Sequence, residues 1–242
     1  MKSPVQVRNV TKQFSDDGFC LGPVSLEVGP GATIAILGKN GAGKSTFFGL
    51  VTGNLDATSG EIFFENQKLV PERFDLKRKL GYLPQKLGFP NWVTATEMLS
   101  YSARLHDLEM ADEQVAHALQ FWDCTDFNDL ALGTLSHGMK KRVGLALASM
   151  HKPSFLVLDE PFSGLDIIHI RALENLLKER QQNGMTTIIS THILPFVAKL
   201  CDNAYFLKRG KMSTIHSWNN LDYLAKERRL EEEFFLETHA DV

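Results

Sequence analysis

A chain of 242 residues with a net charge of −3 has room for a sizeable core, and its mixed charge gives no global argument for nucleic-acid binding. Cys20, Cys124 and Cys201 are odd in number, far apart and without CxxC or Cys/His ligand spacing. That pattern argues against a disulfide framework or structural zinc and fits a reducing compartment. Met1-Lys2-Ser3-Pro4 carries no apolar run, and the apolar stretches fall well short of a membrane span, so neither secretion nor spanning is expected.

In chain order, Val5 to Val10 and Val24 to Val28 alternate as half-buried strands do, and Gly29-Pro30-Gly31 closes the second as a turn. Ala32 to Leu37 is continuously apolar, which suits a strand buried on both faces. Glu61 to Phe64 is a further short strand. From Thr94 to about Met150 the pattern turns helical, with Leu99, Ala103, Leu119 and Leu147 among its apolar positions. Phe155 to Leu158 and Thr186 to Ser190 restore the buried-strand signature, and a helix over Ile168 to Asn183, ending at Gly184, joins them as a βαβ unit. In the tail, Ala225 to Glu233 is charged and Phe234-Phe235-Leu236 apolar, which reads as a surface helix with one anchoring patch.

Gly38-Lys39-Asn40-Gly41-Ala42-Gly43-Lys44-Ser45 fits GxxxxGK[ST] between a buried strand and an expected helix. Glycines let backbone N–H groups turn inward around phosphate oxygens, and the following helix turns its positive end to the same anion. Lys44 is placed to reach the β- and γ-phosphates and the Ser45 hydroxyl to ligate Mg²⁺. Asp159 and Glu160 end a buried strand: Asp159 suits Mg²⁺ coordination, and Glu160 suits polarising an attacking water as general base. A carboxylate pair after a strand is by itself ordinary turn chemistry, and the phosphate loop is what makes the functional reading win.

The remaining motifs narrow the reading. Leu135-Ser136-His137-Gly138-Met139 resembles the LSGGQ signature of ATP-binding cassette (ABC) proteins, Tyr82-Leu83-Pro84-Gln85 their Q-loop, Ser163-Gly164-Leu165-Asp166 their D-loop and Thr191-His192 their switch histidine, all in the family's order. The resemblance implies an α/β phosphate-loop NTPase (RecA-like) with a parallel sheet core, an N-terminal antiparallel β-subdomain and an inserted α-helical subdomain. It implies an ATPase domain over residues 1–215, with the helical insertion at about 90–150, and a C-terminal helical tail over 216–242. By position it makes Glu160, His192, Lys44 and Gln85 catalytic. Phe14, Gly38, Lys39, Asn40, Gly41, Ala42, Gly43, Lys44, Ser45 and Thr46 are assigned to ATP, with Phe14 as the adenine-stacking aromatic. Ser136, Gly138 and Asp166 are assigned to ATP across a dimer seam, and Ser45, Gln85 and Asp159 to the metal.

The cofactors so implied are ATP and Mg²⁺. The partners are a second nucleotide-binding subunit, either another copy of this chain or a different one, and an integral membrane permease subunit, with no nucleic acid, and the location is cytoplasmic, on the inner face of the cell membrane. Methionine at 139 followed by basic residues, and the acidic run before Phe234, resemble exporter-type (multidrug, ABC-2-like) subunits. Leu87 to Val93, apolar without a period, is expected to form a groove for a helix of the membrane subunit. The alternatives are a translation or DNA-maintenance ATPase of the same class, or a regulatory module that binds ATP without turnover. Two cassettes, a long coiled coil or zinc cysteines would mark the first, and intact Lys44, Asp159, Glu160 and His192 speak against the second. His137 stands where the family has glycine, and a partly protonated ring there would add positive charge near the γ-phosphate.

Overall fold

The structure is a computed structural model that describes residues 4–15, 18–214 and 221–239. Strands β1 (Val5–Gln13), β2 (Cys20–Val28), β4 (Ser59–Phe64) and β5 (Gln67–Lys68) form an antiparallel sheet in the order β2-β1-β4-β5. Between them in sequence, β3 (Thr33–Leu37) and helix α1 (Lys44–Val51) belong to the second layer. That layer is completed by α2 (Phe74–Lys77), β6 (Leu80–Leu83), β7 (Phe155–Asp159), α6 (Ile167–Gln182), β8 (Thr186–Ser190), α7 (Leu194–Leu200), β9 (Asn203–Lys208) and β10 (Lys211–Thr214). Its strand order is β10-β9-β3-β8-β7-β6, parallel throughout except for antiparallel β10 at one edge.

Both faces of this sheet are covered, which is why its strands read as unbroken apolar runs. Period-two alternation sends Ile34, Ile36, Phe155 and Val157 into a core shared with the antiparallel sheet and with Phe47 and Phe48 of α1. Ala35, Leu37, Leu156 and Leu158 face the opposite way, into a core shared with the helical region. That region comprises α3 (Ala95–Leu105), α4 (Ala111–Phe121) and α5 (His137–Ser149), with two single 3-10 turns between the last two. Thr94 starts α3 with a full capping box: its hydroxyl accepts from Glu97 N–H at 3.1 Å, and the Glu97 carboxylate accepts from Thr94 N–H at 2.9 Å.

The α/β fold with its two sheets and inserted helices is as the sequence implies. Alternation does not announce β6, β9 and β10. Leu80-Gly81-Tyr82-Leu83 is only 4 residues long, and its glycine is set by packing, since a Cβ on Gly81 would lie 2.0 Å from the Ala148 carbonyl oxygen. The α6 helix starts one residue before expectation, where the Asp166 carboxylate accepts from Ile168 N–H and His169 N–H, both at 3.0 Å.

The tail forms helix α8 (Tyr223–His239), but its anchor differs from the consecutive apolar trio. Leu230, fully buried, and Phe234, four residues on, face inward, while Phe235 and Leu236 are exposed. Helical geometry puts residues four apart on one face and spreads consecutive ones around it.

Candidate functional site

Phosphate loops sit where a parallel strand gives way to a helix, and here β3 ends at Leu37 and α1 begins at Lys44. Gly38 and Gly43 have φ of 154° and 110°. A side chain on Gly38 would place its Cβ 2.3 Å from the Leu207 carbonyl oxygen, and one on Gly43 would strike the Phe19 ring at 2.7 Å. No side chain caps α1, so the N–H groups of its first turn face the loop's concavity without a side-chain acceptor. Gly210 N–H donates to the Ala42 carbonyl at 3.0 Å, tying the β9–β10 turn to the loop.

Lys44 lies across this concavity. Its Nζ donates to the carbonyls of Gly38 at 2.6 Å and Lys39 at 3.2 Å. Burial pushes its pKa below the usual lysine value, and the negative charges of Glu160 and Asp159 pull against that shift.

The strand order brings the two motifs together. β8 lies between β3 and β7, and Ser190 at its end is in register with Ile36 on one side and Asp159 on the other. Ser45 Oγ donates to Asp159 Oδ2 at 2.9 Å, and Ser190 Oγ donates to Asp159 Oδ1 at 2.5 Å. The same Ser190 oxygen accepts from Glu160 N–H at 2.9 Å. Glu160 itself has φ of 49°, a left-handed conformation for a residue with a Cβ, and its backbone is held by Lys141 Nζ, which donates to the Glu160 carbonyl at 3.1 Å. Its carboxylate accepts from His192 Nδ1 at 3.0 Å.

Ser190 and Lys141 are the residues sequence reading missed. Ser190 looks like the end of an apolar run. Lys141 looks like one of three basic neighbours, yet it is 1% exposed, while Lys140 reaches toward the Gly133 carbonyl and Arg142 pairs with Asp123 at 2.9 Å. Burial lowers the Lys141 pKa, and Asp159 and Glu160 oppose the shift. Tyr82, at the end of β6, is pushed up to about 12 by burial and by the charge of Asp159.

Lys39, Asn40, Gln85, Glu160 and His192 line one open cavity of about 460 Å³, which His137 and Phe234 also border. The Gln85 side chain is exposed there and Thr46 lies in the first turn of α1. Ser45 and Asp159 supply hard oxygen donors of opposite character, a hydroxyl and a carboxylate, beside the phosphate loop. That set fits Mg²⁺ arriving on a nucleotide's phosphates. Among the described residues no group of three or more His, Cys, Asp or Glu side chains could hold an ion by itself.

The signature segment stands apart from these bonds. Ser136 caps α5, its hydroxyl accepting from Met139 N–H at 3.3 Å. A Cβ on Gly138 would lie 2.5 Å from the Gly164 carbonyl oxygen, and one on Gly164 would lie 2.7 Å from the His137 ring, so this segment packs directly on the loop before Asp166. The Asp166 carboxylate, besides capping α6, accepts from His169 Nδ1 at 2.7 Å, and these bonds hold its pKa below the usual range. Phe14, just past β1, is 56% exposed with the Lys12 ammonium 5.5 Å from its ring centre. Trp92 is 80% exposed, while Leu87 and Phe89 pack on the helical core, so the expected groove segment presents a single aromatic outward. Cys124 and Cys201 are buried, and burial pushes both thiols up, Cys124 to about 12. No helix among the described residues is long and apolar enough to cross a membrane.

The sequence profile of the ABC transporter family matches residues 21–163. The chain is 38% identical over 192 residues to the uncharacterized ABC transporter ATP-binding protein YxlF of Bacillus subtilis (strain 168), a match covering 78% of this chain and 63% of that protein. It is 30% identical over 219 residues to the linearmycin resistance ATP-binding protein LnrL of the same bacterium, covering 90% of this chain and 70% of LnrL. Among solved structures it resembles cbiO1 from Clostridium perfringens, part of the ABC transporter complex cbiONQ, with 29% identity and a TM-score of 0.74 over 98% of this chain and 96% of that one.

Proposed function

The chain belongs to the ABC transporter ATP-binding family, and we propose that it binds and hydrolyses ATP to drive export through a separate membrane subunit, working as a head-to-tail pair. The observation that carries this reading is the bonded set at the strand ends: Ser45 to Asp159 at 2.9 Å, with Glu160 beside it and paired to His192 at 3.0 Å. The phosphates lie in the loop from Gly38 to Thr46, with Lys44 released from its carbonyl partners to meet them. Bound beside Ser45, Asp159 and Gln85, Mg²⁺ would offset phosphate charge.

Glu160 takes the proton of a water whose oxygen bonds to the γ-phosphorus as the bridging P–O bond to ADP breaks. His192 holds the Glu160 carboxylate in position for that transfer. Phe14 stacks on the adenine. Ser136, Gly138 and Asp166 act across the seam on the nucleotide held by the second copy, so ATP joins the two chains and its hydrolysis releases them.

The likeness to a resistance protein supports export, and Trp92 with its flanking residues is the proposed contact for the membrane subunit. In this assembly the protein sits on the cytoplasmic face of the membrane, with residues 1–215 as the motor domain and the tail appended to it.

Glu160→Gln tests the whole reading. It keeps the shape and removes the base, so steady-state hydrolysis is expected to fall at least about a hundredfold while MgATP still binds. Size-exclusion chromatography with MgATP is expected to show the variant as a dimer. A variant that hydrolyses within tenfold of the parent removes Glu160 as the base, and one that stays monomeric at saturating MgATP sinks the pairing.

A further inference from the structure

The C-terminal helix reaches the nucleotide site, a position that neither its charged sequence nor its place at the end of the chain suggests. Phe234 on α8 borders two separate cavities. One, of about 260 Å³, lies between the phosphate loop and the Phe206 to Arg209 segment. The other is the larger chamber that holds Gln85, Glu160 and His192. Both are also bordered by Gly38, Lys39 and Asn40, so the Phe234 ring stands at the boundary between them, beside the first half of the phosphate loop.

The ring has a firm seat. It packs on Phe206 of β9 with centres 5.9 Å apart and planes tilted by 45°. Phe206 is in register with Leu37, the last residue before the loop. The next residue, Leu207, presses its carbonyl oxygen into the space a Gly38 side chain would need. The contact therefore runs from α8 through β9 to the residue at which the phosphate loop leaves its strand.

We infer that Phe234 is a positioning residue for the phosphate loop: packed on Phe206 and walling both cavities, it holds Gly38 to Asn40 in the conformation that receives the phosphates. The inference rests on the proposed role of that loop. An apolar ring offers no hydrogen bond to a phosphate, so its contribution is to pre-order the backbone that does. Pre-ordering acts on the binding equilibrium before bond breaking begins. Its loss should appear in Kd and KM, with kcat at saturation little changed. It should also be blind to the base, because the residues that line both cavities with Phe234 are those of the loop, and Phe14 on the adenine side lines neither.

The experiment compares Phe234→Ala with Leu230→Ala in the full chain. Leu230 anchors the same helix in the core but borders neither cavity. Both variants are expected to lower Tm. Only Phe234→Ala is expected to weaken MgATP by about tenfold in calorimetry and to raise KM alike, with kcat within about twofold. Magnesium tripolyphosphate should weaken by the same factor.

If Phe234→Ala lowers Tm and leaves Kd unchanged, or weakens ATP but not tripolyphosphate, or lowers kcat at constant KM, the inference is overturned. Equal weakening by Leu230→Ala also overturns it, since α8 would then act through general stability. Should the alanine variant fail to fold, Phe234→Leu carries the test, with about a threefold weakening expected and none fatal. Failure of the unaltered protein to bind MgATP would instead sink the function proposed above, which separates the two.

Discussion

The phosphate side and the signature side of this molecule are built on opposite plans. On the phosphate side, Lys44, Ser45, Asp159, Glu160, Ser190 and Lys141 are bonded to one another or to nearby backbone, and of these Asp159, Ser190 and Lys141 are nearly inaccessible. On the signature side, Ser136 and Asp166 are exposed and their polar atoms serve to cap α5 and α6. The first arrangement is pre-formed within one chain, because β3, β8 and β7 adjoin and end together. The second turns the start of α5, with the Ser136 hydroxyl at its cap, toward solvent. The contrast supports a site completed by a second copy.

The largest expected effect comes from breaking the bonded side. Ser190→Ala removes the hydroxyl shared by Asp159 and the Glu160 backbone and leaves the buried Glu160 N–H without its acceptor. A loss of about 1–3 kcal/mol in urea unfolding is expected, with hydrolysis reduced at least tenfold as Glu160 loses its placement. If activity and stability are both within error of the parent, the buried set is not what organises the site.

A smaller effect sharpens the other half. Ser136→Ala should lower stability by about 1 kcal/mol through the lost cap and leave the Kd for MgATP within about twofold, while hydrolysis falls by about tenfold. Equal damage to MgATP affinity by Ser136→Ala and Ser190→Ala would erase the distinction between the two sides.

A last effect, on stability and not on hydrolysis, concerns the packing of the helical region on β6. The His106 ring, at the end of α3, stacks on His151 with centres 3.8 Å apart, and His151 Nε2–H donates to the Leu80 carbonyl of β6 at 3.0 Å. Burial, then the facing His106 and Arg180, push the His151 pKa down to about 4. The unfolded chain binds a proton near pH 6.5 that the folded chain refuses until about pH 4. Stability is therefore whole above pH 6.5 and falls as pH drops toward 4. Between pH 7 and pH 5 a loss of about 2 kcal/mol is expected from this residue, and His151→Gln should flatten that part of the urea-unfolding profile. An unchanged slope would show that other groups set the acid limb.

Much of the site is legible along the chain because its chemistry is local. A phosphate loop needs glycines where φ is positive and a lysine at the start of its helix, and Gly38, Gly43 and Lys44 carry those demands in seven consecutive positions. The carboxylates are legible for the same reason, at the end of a run that must be a strand. Ser190 and Lys141 are illegible because their roles depend on strands and helices far apart in sequence. Nothing near Lys141 distinguishes it from Lys140, and only the fold buries one of them against the Glu160 carbonyl. The tail shows the same limit: three apolar residues in a row name a sticky segment, while the helix decides that Phe234 faces inward and Phe235 outward.

By itself, then, the sequence determined which backbone conformations and charges occur at Gly38 to Ser45 and at Asp159 and Glu160, because steric freedom and side-chain chemistry belong to single residues and their immediate neighbours. The tertiary structure alone decided that β8 lies between the two motif strands, that one serine hydroxyl joins both carboxylate residues, and that the last helix returns its Phe234 to the phosphate loop. Those outcomes follow from the packing of segments distant in sequence, which local patterns leave open until both faces of the sheet are covered.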